Sequence, residues 1–164
     1  MSKLAPKIVE LARREIGVEE INGSNCGPRV NEYKAATWLP AKKAWPWCAA
    51  FVCWLVREAM AETGIKETAT FKRPQTAGAW DFENWSLEQD KTTWTKKPHD
   101  GDIKAGDIVI FTFSHIGIAI ADAEGGEVQT IEGNTDTHGS REGGGVWMKE
   151  RKTSQIRSRI RFRV

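Results

Sequence analysis

The chain has 164 residues, 40% of them hydrophobic and 28% charged, and a net charge of +2. That length closes a core without staples and predicts one domain over residues 1–164. The charge suits a polyanionic surface without demanding nucleic acid, and no apolar run is long enough for membrane insertion.

The N-terminal MSKLAPKIVELARREIG is a charged amphipathic segment without the apolar stretch of a signal peptide, which predicts synthesis in the cytoplasm. Leu4, Ile8, Leu11, Ala12 and Ile16 recur at helical spacing, with Gly17 as a stop. After a loop from Glu19 to Gly27, Pro28 opens a short helix through Val30, Tyr33 and Ala36. The stretch AWPWCAAFVCWLVREAM, Ala44 to Met60, predicts a third helix that begins behind Trp45-Pro46-Trp47 and ends before Gly64. A weaker fourth covers Thr76 to Trp85.

The second half reads as strands. DIVIFTFSHIGIAIAD, Asp107 to Asp122, is rich in β-branched and aromatic residues and predicts one strand. EVQTIEGN, Glu127 to Asn134, predicts its partner across a turn at Gly125-Gly126. VWMKE, Val146 to Glu150, and the last residues add two more. In IRSRIRFRV, four arginines alternate with apolar residues, as in a half-buried strand with a solvated face, and a basic stripe for a polyanion is the alternative. Helices first and antiparallel strands second predict an α+β domain.

Three cysteines, Cys26, Cys48 and Cys53, make an odd count without a framework of spacings, so at least one thiol is free. Cys48 falls at a helix N-terminus, where unpaired N–H groups and the positive dipole end favour a thiolate. Cys53 lies five residues on, inside the helix, and reads as packing. Cys26 is assigned no role. Of the histidines, His99 and His138 lie in polar or Gly-rich loops, whereas His115 interrupts an apolar strand. A loop of two or four residues in the hairpin puts His115 on one face with Thr130, Glu132 and Asn134. The four-residue register sets it opposite Asn134 and diagonal to Glu132. Cys48, His115 and Glu132 are thus candidates for nucleophile, base and orienting acid.

With those residues, the sequence resembles the CHAP family, the cysteine- and histidine-dependent amidohydrolases/peptidases of papain-like fold. WPWCAAFVCW (Trp45 to Trp54), the Gly-Asp-Ile of AGDIVIF (Ala105 to Phe111), SHIGIAI (Ser114 to Ile120) and TIEGN (Thr130 to Asn134) carry the likeness, in the family's order. The resemblance implies a papain-like CHAP fold, with N-terminal helices packed on a C-terminal antiparallel sheet. It implies catalysis by Cys48, His115 and Glu132, with Asn134 a further site residue. The implied substrate is bacterial peptidoglycan, cut at the muramoyl–L-alanine amide or within stem peptides and cross-links.

Some members carry an Asp-rich calcium loop before the nucleophile. NEYKAATWLPAKKAWPW lacks that pattern, and the spacing of Glu19, Glu20, Asn22 and Asn25 matches no calcium loop, so no metal and no cofactor are expected. Trp45 and Trp47 flank Cys48 and are candidates to bind substrate, with packing onto the sheet as the alternative. Packing is favoured for Trp54, while Trp80, Trp85 and Trp94 suit a groove wall or flap. Without a separate wall-binding domain, the chain suits a monomeric phage lysin, made in the host cytoplasm and released to the periplasm and wall by another factor such as a holin. An injected antibacterial toxin, a catalytically inactive wall-binding module and a zinc module on Cys26, Cys48, His115 or His138 are the rival readings.

Overall fold

The computed structural model describes residues 1–136 and 144–164. Among them, four helices precede the sheet: α1 (Leu4–Glu15), α2 (Pro28–Lys34), α3 (Cys48–Thr63) and α4 (Asp81–Leu87). Six strands follow: β1 (Thr92–Lys96), β2 (Ile108–Phe111), β3 (Ile116–Ala119), β4 (Glu127–Thr135), β5 (Gly145–Lys152) and β6 (Ile156–Phe162). Every pairing is antiparallel, and the order across the sheet is β1-β6-β2-β3-β4-β5. This is the expected α+β arrangement.

The helix α1 buries one stripe, Leu4, Ile8, Leu11 and Ala12, and leaves its charges outside. By contrast α3 is buried without a break from Cys48 to Val56, because α1 and α2 flank it while β3 and β4 lie beneath. Its apolar residues form the main core with Ile108, Ile110, Ile116, Ile118, Ile131 and Ile160. The alternate residues Val109, Phe111, Ala119 and Val128 make a second, smaller cluster on the other face. No helix among the described residues is long and apolar enough to cross a membrane.

The segment Asp107–Asp122, expected as one strand, is a hairpin of two. The chain turns at 112–114, Ser114 takes a left-handed φ of 54°, and Ile110 pairs with Ile116. Both strands are central and buried, so both read as apolar runs, and periodicity alone does not mark the reversal.

The next turn is the expected Gly125-Gly126, with φ of 61° and 79° and a bridge between Glu124 and Glu127. Continuing that register would pair Ala119 with Glu132, but the ladder pairs Ala119 with Thr130 and Ile118 with Ile131. The offset is even, so each side chain keeps the face it was assigned. The ladder is the four-residue register.

The C-terminal arginines are not left free in solvent: Arg159 is buried, Arg157 and Arg161 are half-buried, and Arg163 is exposed. Strand β6 lies between β1 and β2, and its arginines are engaged. Arg161 donates to both Asp107 oxygens at 2.7 Å, and Arg159 Nε to the Asp102 carbonyl at 2.8 Å. Arg157 pairs with Glu83 at 3.0 Å and stacks 4.0 Å from the Trp80 ring centroid. Strand β1, rich in threonine, carries too little apolar pattern to be legible in the sequence. The fourth helix starts at Asp81 rather than Thr76.

Candidate active site

Pro46 and the non-helical Trp47 set the start of α3 at Cys48. Among the described residues no side chain caps this end, and its first turn carries no acidic residue, so no carboxylate of that turn takes up its N–H groups. Cys48 is 7% exposed, at the floor of a groove walled by Leu39, Trp45, Pro46, Gly78 and Ser114. The Trp45 indole is held by its N–H to the Pro40 carbonyl at 2.9 Å. Beside it the Lys34 ammonium is fully buried and donates to the carbonyls of Asn25 and Lys43 at 2.7 Å each. Lys34 thereby ties together the two loops that precede α3.

His115 and Glu132 are both fully buried. His115 Nε2 lies 2.8 Å from Glu132 Oε1, which leaves Nδ1 for the Cys48 thiol. Nδ1 has no hydrogen-bond partner among the described residues. Burial disfavours the imidazolium, but negative charge beside the ring, on the Cys48 sulfur when ionised and on the Glu132 carboxylate, outweighs it and holds the pKa up to about 9. Burial also disfavours the Glu132 carboxylate. Hydrogen bonds from Arg151 and then His115 overcome this and hold its pKa down to about 2.

The position of Glu132 is over-determined. Thr130 Oγ1 donates to Oε2 at 2.5 Å, and Arg151 donates from Nε to Oε2 at 2.8 Å and from Nη2 to Oε1 at 2.5 Å. Its stem fills the space that a side chain at Gly117 would need: a Cβ there would sit 2.6 Å from Glu132 Cγ. Asn134 follows a break in the β4–β5 register and adopts a left-handed φ of 54°, a region asparagine tolerates. It is buried, and neither amide atom has a partner among the described residues.

The structure brings Cys48, His115 and Glu132 together, while Asn134 lies past the break in the β4–β5 register, beyond the residues that pair β3 with β4. Trp45 lines the groove. Trp47 does not: it is fully buried, stacks on Tyr33 with ring centroids 5.6 Å apart, and donates its N–H to Glu20 at 2.9 Å. Packing is its role, because solvent cannot reach it. Trp54 packs likewise, edge-on to Tyr33. Cys53 is fully buried against the Thr76 carbonyl, and burial pushes its thiol far above the ordinary range. Cys26 lies beside the Lys34 ammonium at 3.4 Å. His99 is exposed, and His138 lies outside the described residues.

Arg151 was not legible as a site residue, because the predicted strand ended at Glu150. The one available signal was parity: Val146 to Glu150 extended by one residue puts Arg151 on the face of Lys149 and Trp147.

Among solved structures, the chain is similar to that of a wild-type endolysin, LysIME-EF1, with a TM-score of 0.58 at 17% identity. The match covers 98% of this chain and 64% of the endolysin, so the chain spans less than two thirds of that protein. At this identity the likeness is one of fold. A search of curated proteins finds no match. The model of the CHAP domain matches residues 40–134, more than half of the chain. That segment opens ahead of Cys48, takes in His115 and Glu132 and closes on Asn134, and by the extent of this match the chain belongs to the CHAP domain family.

Proposed function

We propose that the chain is a peptidoglycan hydrolase, cutting an amide bond of the bacterial wall by thiol catalysis. The observation that supports it best is Cys48 at an uncapped helix N-terminus, set against an imidazole whose other nitrogen is bound by a buried carboxylate. Family membership and the endolysin-like fold support peptidoglycan as the substrate class.

In this reading His115 takes the Cys48 proton, and the sulfur attacks the scissile carbonyl. The tetrahedral oxyanion draws on the N–H groups of the first turn of α3. The unpartnered Asn134 amide is a second candidate donor. The imidazolium then gives its proton to the departing amine, the C–N bond breaks, and a thioester remains. Water, deprotonated by His115, hydrolyses the thioester and returns the thiol. Glu132 stays ionised throughout and holds the ring in the orientation that presents Nδ1 to sulfur.

The groove walls of Leu39, Trp45, Pro46 and Gly78 suit the apolar parts of a peptide. The bond cut is the muramoyl–L-alanine amide or one within the stem and its cross-links. The chain acts as a monomeric catalytic domain, released to the wall by another factor such as a holin. The test is digestion of purified sacculi by the parent and by Cys48→Ala, with mass analysis of soluble products. Parent protein releases wall fragments and C48A releases none. Equal release by both refutes the mechanism, and binding of sacculi without release by the parent points to an inactive wall-binding module.

A further inference from the structure

Glu132 is bound on three sides, and the most extensive contact is not with His115. Arg151 grips the carboxylate with two parallel hydrogen bonds, from Nε to Oε2 at 2.8 Å and from Nη2 to Oε1 at 2.5 Å. It therefore shares Oε1 with His115 Nε2 and Oε2 with Thr130. Its guanidinium also lies 5.1 Å and 5.2 Å from the ring centroids of Phe111 and Phe113. Those rings stack nearly parallel with each other and with the imidazole, at interplanar angles of 14° to 20°. Arg151 thus touches both supports of His115: the carboxylate bound to Nε2 and the aromatic stack against the ring face. It lies beyond residues 40–134 that the family model covers.

We infer that Arg151 is a positioning residue that acts through Glu132, locking its rotamer and balancing its charge so that the Cys48–His115 pair faces a neutral ion pair rather than a lone buried anion. The inference rests on the proposed thiol chemistry but not on the identity of the substrate. A guanidinium is suited to the task because it is always charged and its planar fork matches a carboxylate at two points. Among the described residues, the charged groups around the site come from four places. Cys48 comes from α3, His115 from the turn before β3, Glu132 and Asp136 from β4 and its end, and Lys149 and Arg151 from β5. Burial and the Arg151 charge lower the Lys149 pKa while Asp136 and Glu132 raise it, so removing Arg151 takes a cation from a cluster that holds two carboxylates.

Loss of a cation from this cluster makes every proton in it harder to remove. Alkylation of Cys48 by iodoacetamide, resolved from Cys26 and Cys53 by mass spectrometry, reads this without any wall substrate. Its rate rises with pH as the Cys48–His115 pair gives up its two protons. In Arg151→Met both rises move to higher pH, by about one pH unit, and Arg151→Lys returns them towards the parent. Arg151→Gln keeps hydrogen-bond donors for Glu132 but not the charge. It moves the rises in the same direction as R151M and carries the test should R151M not fold. A residue that merely stiffens the fold would change thermal stability and leave both rises in place. Rises that coincide with the parent in folded R151M or R151Q overturn the inference. If the rises move but parent protein fails to cut sacculi, the role of Arg151 stands and the peptidoglycan reading falls.

Discussion

Gly117→Ala tests whether the position of Glu132, rather than its mere presence, matters. Gly117 pairs with Val109 in the middle of the β2–β3 ladder, and its φ is not left-handed, so alanine brings no backbone strain there. The added methyl would lie 2.6 Å from Glu132 Cγ, 3.1 Å from the Ile131 carbonyl oxygen and 3.6 Å from Glu132 Cδ. Ordinary contact is near 3.5–4.0 Å, so the carboxylate stem must retreat by about 1 Å. It cannot do so freely, since Thr130, His115 and Arg151 all hold its oxygens. Overpacking costs about 1–3 kcal/mol, and weakening a charge-assisted bond adds about 1.5–3 kcal/mol. A loss of roughly 2.5–6 kcal/mol in urea unfolding is expected. Wall digestion per folded molecule should fall by about 10²-fold, as for a 1 Å misplacement of a catalytic support. Gly106→Ala is the control: its methyl would meet Ala5 Cβ at 2.5 Å, and its φ is +92°, so it destabilises without touching Glu132. If G117A keeps parental stability and digestion, or loses stability alone as G106A should, the close packing of Gly117 and Glu132 does not set the site geometry.

Stability should also depend on pH in two windows. Folding raises the His115 pKa from 6.5 to about 9, so its contribution is complete below 6.5 and is lost as pH rises through 9. Folding lowers the Glu132 pKa from 4.5 to about 2, so its contribution is present above 4.5 and is lost as pH falls through 2. Each is worth roughly 3 kcal/mol, and because the two share one contact they do not add. Denaturation midpoints from pH 2 to 10 check this: Glu132→Gln should remove the acid window and bring the alkaline loss below pH 9. Iodoacetamide should label Cys48 well before Cys53, whose thiol is buried and held protonated. Cys53→Ala should keep wall digestion within about twofold while losing about 1–2 kcal/mol of stability. Equal labelling of the two cysteines would remove the distinction drawn between them.

Much of the site was legible in the sequence, each part for a local reason. Proline and tryptophan before Cys48 place a helix start there, because proline fixes the backbone and suits the first turn. Strand alternation puts His115, Thr130, Glu132 and Asn134 on one face for any even hairpin loop. The observed ladder differs from its own turn by an even step and so keeps that face for Thr130 and Glu132, whereas Asn134 lies past the break in the β4–β5 register. The reversal at Ser114 did not disturb this, since it falls before His115.

The rest was decided by tertiary structure. Whether Asp107–Asp122 is one strand or two depends on which neighbours cover it, and two buried strands carry the same apolar signature as one. Trp47 flanks Cys48 in sequence yet is buried, because α2 sets Tyr33 against it and Glu20 takes its N–H. The arginines of β6 alternate as on a solvated face, but the pairing of β6 between β1 and β2 brings Asp107, Asp102 and Glu83 to them. Arg151 reaches Glu132 only because β5 lies beside β4 and a guanidinium at the end of a long side chain spans the register. Local sequence sets which side of an element a residue occupies. What it meets there follows from contacts between segments far apart in the chain, and no local pattern encodes those.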